Sequence, residues 1–147
     1  MPTYTVTYSG VILSSDVKQM IAQGITSTHN KITGANSYFA QVIFKETHAG
    51  DHFMGGKPVL EPQIFLHGQI REGRPNALKQ KLICGLRDQL MIDSEFQKDQ
   101  VWVYLVDLIP AQMIEYGEVL PESGGEVEWF NNLPEQLKDK LSAMENR

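Results

Sequence analysis

A chain of 147 residues with 18 acidic against 13 basic side chains, a net charge of −5 and one cysteine excludes several classes of protein at once. The length suits one domain with a core of its own, the acidic balance argues against nucleic acid as a partner, and a lone cysteine rules out disulfides and thiolate metal clusters. No apolar run approaches the roughly 20 residues of a membrane span, and no charged-then-apolar leader precedes the first strand, so a soluble, cytoplasmic protein is expected.

Residues 3–8, Thr3-Tyr4-Thr5-Val6-Thr7-Tyr8, alternate β-branched and aromatic types and predict a short strand. Ser14-Ser15-Asp16 supplies an N-cap for a helix that reaches about residue 32 and closes on Gly34. Along it Val17, Met20, Ile21, Gly24, Ile25, Thr28 and Ile32 form one apolar stripe, with His29 on its flank, a position that usually faces water. A strand over 39–45 follows, with Val42 and Phe44 on one face and Ile43 on the other. Residues 47–62 contain Gly, His and Pro without a period and read as a long crossover or flap. The pattern then restarts with a strand over 63–70, a helix over 75–92 and a strand over 101–108. Cys84 falls in the apolar pattern of that second helix and reads as core filling. Beyond it, 109–125 is loop-like, 126–132 carries Trp129-Phe130, and 134–144 predicts a polar amphipathic helix. This tail reads as a clasp that packs through Trp129, Phe130, Leu133, Leu137 and Leu141.

The two halves register on each other at a shift of 61 positions. Lys18-Gln19-Met20-Ile21-Ala22-Gln23-Gly24-Ile25 lines up with Lys79-Gln80-Lys81-Leu82-Ile83-Cys84-Gly85-Leu86, and the same shift sets Ala40-Gln41-Val42-Ile43-Phe44 on Val101-Trp102-Val103-Tyr104-Leu105. The expected fold class is α/β in the two-layer, α+β sense, within a single domain over 1–147. Tandem β-α-β units, 2–46 and 63–108, form a four-stranded sheet with both helices on one face, and 109–147 is a C-terminal extension. The other sheet face is left apolar, which favours self-association.

Several residues could carry chemistry. Pro2 directly follows Met1, and trimming of the methionine would expose a secondary amine that ionises two to three units below lysine, a workable acid or base; Met-Pro also begins many ordinary proteins. Arg71 and Arg74 sit where a strand ends and a helix begins, with Pro75 suited to the first helical position and Arg74 where a capping Ser, Thr, Asp or Asn would normally stand. Two guanidiniums at a helix start make a carboxylate-sized anion site; the alternative is a surface pair answering Glu72. His29 could donate a hydrogen bond or proton near neutrality. His48, His52 and His67 lack a spacing that would gather three ligands on one metal. Tyr104 is central in the last core strand and Glu115 lies eleven positions on, a pair whose interest depends on what else reaches the same cavity.

Together these residues resemble the tautomerase superfamily, and more closely cis-3-chloroacrylic acid dehalogenase and its relatives. The matching stretches are Ile25-Thr26-Ser27-Thr28-His29, Ala40-Gln41-Val42-Ile43-Phe44, Phe65-Leu66-His67-Gly68 with Arg71-Glu72-Gly73-Arg74, Val101-Trp102-Val103-Tyr104, and Glu115-Tyr116-Gly117 with Glu128-Trp129-Phe130. The resemblance implies a homotrimer with sites at subunit edges and no metal or organic cofactor. It implies Pro2, Tyr104 and Glu115 as catalytic groups, and His29, Arg71 and Arg74 as the residues that bind a small carboxylate substrate. Three functions follow as alternatives: hydration or dehalogenation of a short unsaturated acid, enol–keto tautomerisation of a 2-oxo acid such as phenylpyruvate, and a non-catalytic binding trimer. Residues 47–62, which shape the pocket, depart from the family pattern.

Overall fold

In β1 (Thr3–Ser9) threonine and the larger residues alternate, so Tyr4, Val6 and Tyr8 enter the core while Thr3, Thr5 and Thr7 stand on the opposite face. The computed structural model that shows this describes residues 2–145. Helix α1 (Ser15–Thr33) starts where the Ser14 hydroxyl accepts the Val17 amide at 3.2 Å, and it ends on Gly34 in the left-handed region. β2 (Gln41–Glu46) begins two residues later than expected, because Ser37–Phe39 form a 3-10 turn that sends Tyr38 and Phe39 into a separate cluster. The expected flap holds a small hairpin of its own, β3 (Phe53–Met54) and β4 (Lys57–Pro58). Then come β5 (Gln63–Arg71), α2 (Asn76–Asp93) and β6 (Val101–Leu108).

The sheet order is β2-β1-β5-β6, with an antiparallel central pair and parallel outer pairs. Ser15 and Asn76, which open the two helices, lie 61 positions apart, as do Ser37 and Lys98, which open the two 3-10 turns. The repeat is therefore structural, and its halves meet at the antiparallel β1–β5 seam. Ile21 and Ile25 from α1, Leu82, Leu86 and Leu90 from α2, and Val6, Ile64 and Leu66 from the strands form the main core. Each such side chain contributes roughly 1.5–3 kcal/mol on burial. Cys84 is exposed, which corrects its reading as core filling: the buried stripe of α2 runs through positions 82, 86 and 90, and residue 84 is turned about 200° from it.

On the face away from the helices, Phe65, Trp102, Tyr104 and Val106 make the β5–β6 half aromatic and apolar. The β1–β2 half is more polar than expected, since the threonines of β1 pair with Gln41, Ile43 and Lys45. The tail continues through β7 (Ile114–Glu115), β8 (Glu118–Val119), α3 (Glu126–Asn131) and α4 (Glu135–Glu145). Tyr116 and Gly117, with φ of 55° and 86°, make the two-residue hairpin turn whose positive dihedrals suit glycine far better than tyrosine. The Tyr116 hydroxyl donates to the Tyr38 carbonyl and so anchors the turn. Trp129, Phe130, Leu133, Leu137 and Leu141 close on Tyr38 and Phe39, as the clasp reading expects. Among the described residues no helix is long and apolar enough to cross a membrane.

Candidate active site

Tyr4 is wholly buried, and a buried phenol needs a partner for its hydroxyl. It finds His29: Tyr4 Oη and His29 Nδ1 lie 2.7 Å apart, with the rings edge to face at 5.8 Å. The flank position of His29 in α1 is thereby drawn inward, and the side chain is 2% exposed rather than solvated. Gly68 makes room for this arrangement, since a Cβ there would lie 2.5 Å from Tyr4 Cε1 and 2.7 Å from Leu105 Cδ2. The tautomer that satisfies both groups has Tyr4 donating to Nδ1 and the ring proton on Nε2. Nε2 is buried and has no hydrogen-bond partner among the described residues.

Burial, then the charge of Arg74, pushes the His29 imidazole down to about 3, so it is neutral at ordinary pH. Burial pushes the Tyr4 phenol up, well out of the usual range. Between about pH 6.5 and 3 the unfolded chain takes up a proton at position 29 that the native protein refuses, so stability falls as pH drops through that window. One proton corresponds to at most about 1.4 kcal/mol per pH unit. Urea midpoints between pH 7 and 5 should therefore fall more steeply for the native chain than for His29→Asn; equal slopes would contradict a neutral buried imidazole.

β5 ends at Arg71, and after the Glu72-Gly73 turn α2 opens with Pro75 as its cap rather than its first helical residue, one position later than expected. No side chain caps this helix start; the Pro75 carbonyl accepts the Leu78 and Lys79 amides at 3.0 and 3.1 Å. Arg71 is 4% exposed and does not answer Glu72, whose side chain faces solvent. Its Nη2 pairs with the Glu126 carboxylate and its Nη1 donates to the Pro121 carbonyl at 2.9 Å, while Nε is buried without a partner among the described residues. Arg74 is half-buried, and its Nη1 donates to the Arg71 carbonyl at 2.7 Å. Burial, then the charge of Arg71, pushes Arg74 down from its ordinary value, and Arg74 in turn acts on both Tyr4 and His29. The two arginines line a cavity of about 470 Å³ together with Asn36, Phe39, Ser123 and Glu126.

Pro2 is buried, and its carbonyl accepts the Gln41 amide at 3.0 Å. Because Thr3 lies opposite Gln69, Pro2 falls at the end of the sheet where β5 delivers Arg71. Met1, whose removal the catalytic reading requires, lies outside the described residues. Glu115, half-buried on β7, lines a separate groove of about 1060 Å³ with Thr3, Ser27, Gln41 and Tyr116. Tyr104 stands on the open sheet face, 53% exposed and edge to face with Phe65 at 5.0 Å. One chain thus gathers His29, Arg71 and Arg74, sets Pro2 at their end of the sheet, keeps Glu115 in an adjoining groove and turns Tyr104 away. Tyr4 and Glu126 join the site without having been singled out from the sequence. Strand alternation already turned Tyr4 inward with a hydroxyl to satisfy, whereas no sequence signal ties Glu126 to an arginine 55 positions earlier.

The sheet topology, the internal repeat and these side chains define a tautomerase-type protein. The chain belongs to the tautomerase superfamily: residues 1–132 match a family model described as "Putative oxalocrotonate tautomerase enzyme". Within it, the chain is similar to N1, a member of the cis-3-chloroacrylic acid dehalogenase family, at 33% identity over 96% of this chain and 99% of that one, with a TM-score of 0.91. The native protein Ps01740 is 30% identical over 77% of this chain and 99% of its own, with a TM-score of 0.71. A fused 4-OT protein solved as a symmetric trimer shares the fold at a TM-score of 0.73, with 19% identity over 80% of this chain and 94% of that chain. No curated protein matches the chain.

Proposed function

We propose that the chain is a cofactor-independent enzyme of the cis-3-chloroacrylic acid dehalogenase kind, adding water to a short 3-halo or unsaturated carboxylic acid. The observation that carries this reading is the buried Nε2 of His29 beside Arg74, a hydrogen-bond donor with no acceptor among the described residues. Arg74 and Arg71 hold the substrate carboxylate, and His29 donates to the same end, which draws electron density from C3. Glu115, assisted by Tyr104, takes a proton from the attacking water, and protonated Pro2 delivers one to C2. The halohydrin so formed collapses to malonate semialdehyde, halide and a proton. Since Tyr104 projects from the opposite sheet face of its own chain, it serves the site of a neighbouring copy in a homotrimer. The exposed aromatic half of that face, and the trimeric assembly of the fused 4-OT protein, support this arrangement. In this reading the whole chain acts as one domain in the cytoplasm, on a small carboxylate.

The position of Tyr104 also favours a second reading, a tautomerase of a 2-oxo acid such as phenylpyruvate, which needs only Pro2 as base and the guanidiniums. Protein shown by intact mass to lack Met1, incubated with both isomers of 3-chloroacrylate and with phenylpyruvate, separates the two. Halide release from the cis isomer is expected. Release from neither isomer removes the dehalogenase reading, and ketonisation without halide leaves the tautomerase.

A further inference from the structure

The seam between β1 and β5 sets Tyr4 opposite Gly68, and the phenol ring takes the space that a Cβ would fill there. Leu105 borders the same space from β6. Walled in this way, the ring delivers its hydroxyl to Nδ1 of His29 on α1, and both side chains are buried. One proton serves the contact between Oη and Nδ1. Were Nδ1 to carry it, the phenolic proton would need a second acceptor inside the core, and among the described residues the hydroxyl has no other hydrogen-bond partner. With the phenol as donor, both atoms are satisfied and the ring proton of the imidazole falls on Nε2. Burial keeps the phenol protonated and the imidazole neutral, so the arrangement holds across ordinary pH.

We infer that Tyr4 is a positioning residue: by holding the imidazole proton on Nε2 it fixes the polarity with which His29 meets a ligand, as a donor and not as an acceptor. Tyr4 acts through His29, and Gly68 acts one step further back by giving the ring its place. The inference rests on the reading of His29 as a ligand-binding group and adds which atoms set its chemistry. A fixed donor selects a ligand that presents an oxygen lone pair at that point. A ligand presenting only N–H there would set two buried donors against each other, which costs the hydrogen bond and leaves both unsatisfied.

The test is NMR of the histidine ring nitrogens on the full trimmed protein near neutral pH, with His29→Asn identifying the signals of His29. The native chain should show the Nε2–H tautomer alone, with Nδ1 bare, before any ligand is added. Tyr4→Phe, which removes one oxygen atom, should put His29 into exchange between both tautomers. It should also weaken acrylate binding, read by isothermal titration calorimetry, by roughly three- to tenfold. Added to His29→Asn, the same substitution should weaken acrylate by less than about twofold further, since the nitrogen it acts through is gone. Gly68→Ala, which drives the ring from its place, should give the same mixture of tautomers with the phenol oxygen retained. An Nδ1–H tautomer in the native chain, a tautomer unmoved by Tyr4→Phe, or undiminished acrylate affinity in Tyr4→Phe would overturn the inference. Should the variants fail to fold, the native spectrum still tests it, because Nδ1–H there refutes it without any substitution. A chain that loses Nε2–H only on Tyr4→Phe yet binds no acrylate would support the proton assignment and sink the carboxylate reading of the site alone.

Discussion

Protein that keeps a residue ahead of Pro2 should turn over its acid substrate about 10²- to 10⁴-fold more slowly than trimmed protein, the factor typical of a lost general acid or base. An added peptide bond converts the ring nitrogen from an amine that exchanges protons near neutrality into an amide that does not. The fold should be almost indifferent to the change, because Pro2 enters the sheet through its carbonyl, which the Gln41 amide still reaches. Pro2→Ala makes the complementary case: it keeps an amine, but a primary one without the ring, and should fall between the two. Initial rates of halide release, paired with intact mass and a thermal melt of each preparation, check this. Equal rates for trimmed and untrimmed protein would remove Pro2 from the chemistry.

Glu126→Ala should destabilise the protein by about 3–5 kcal/mol, the cost of leaving a buried charge without its partner. Arg71→Met should cost less, about 1–3 kcal/mol, because it leaves a carboxylate that is 35% exposed and can turn to water, together with a carbonyl at Pro121 that loses one donor. The two partners of one ion pair are thus unequal: the arginine is the member that cannot escape to solvent. The double variant should cost less than the sum of the singles, since once Arg71 is gone Glu126 has little left to neutralise. Urea denaturation of the three variants measures all of this, and a larger loss for Arg71→Met than for Glu126→Ala would contradict the burial order.

The fold was legible where side-chain period and punctuation agree. Ser14 and Gly34 bracket the first helix, Val101–Leu108 is a strand over its full expected length, and the shift of 61 reappears between helix starts and between 3-10 turns. Errors fell where a distant partner overrides local pattern. Phe39 looks like the start of a strand but belongs to the clasp cluster, because Trp129 covers it from ninety positions downstream. His29 looks like a solvated helix flank until Tyr4, in β1, is seen to need its ring nitrogen. Cys84 sits among apolar neighbours in the sequence, yet α2 turns that position outward. The arginine pair was readable from its place at a helix start, and both guanidiniums line one cavity. Its internal counter-charge was not, because ion pairing across a tertiary contact leaves no spacing rule behind.

The clasp supplies Pro121 and Glu126, the groups that grip Arg71, and it follows both β-α-β units along the chain. Both β-α-β units can therefore assemble while that guanidinium is still bathed in solvent, and the residues that follow β6 then seal it inside. A shortened product ending after β6 would own the sheet and both long helices, yet would leave the Arg71 guanidinium unmoored.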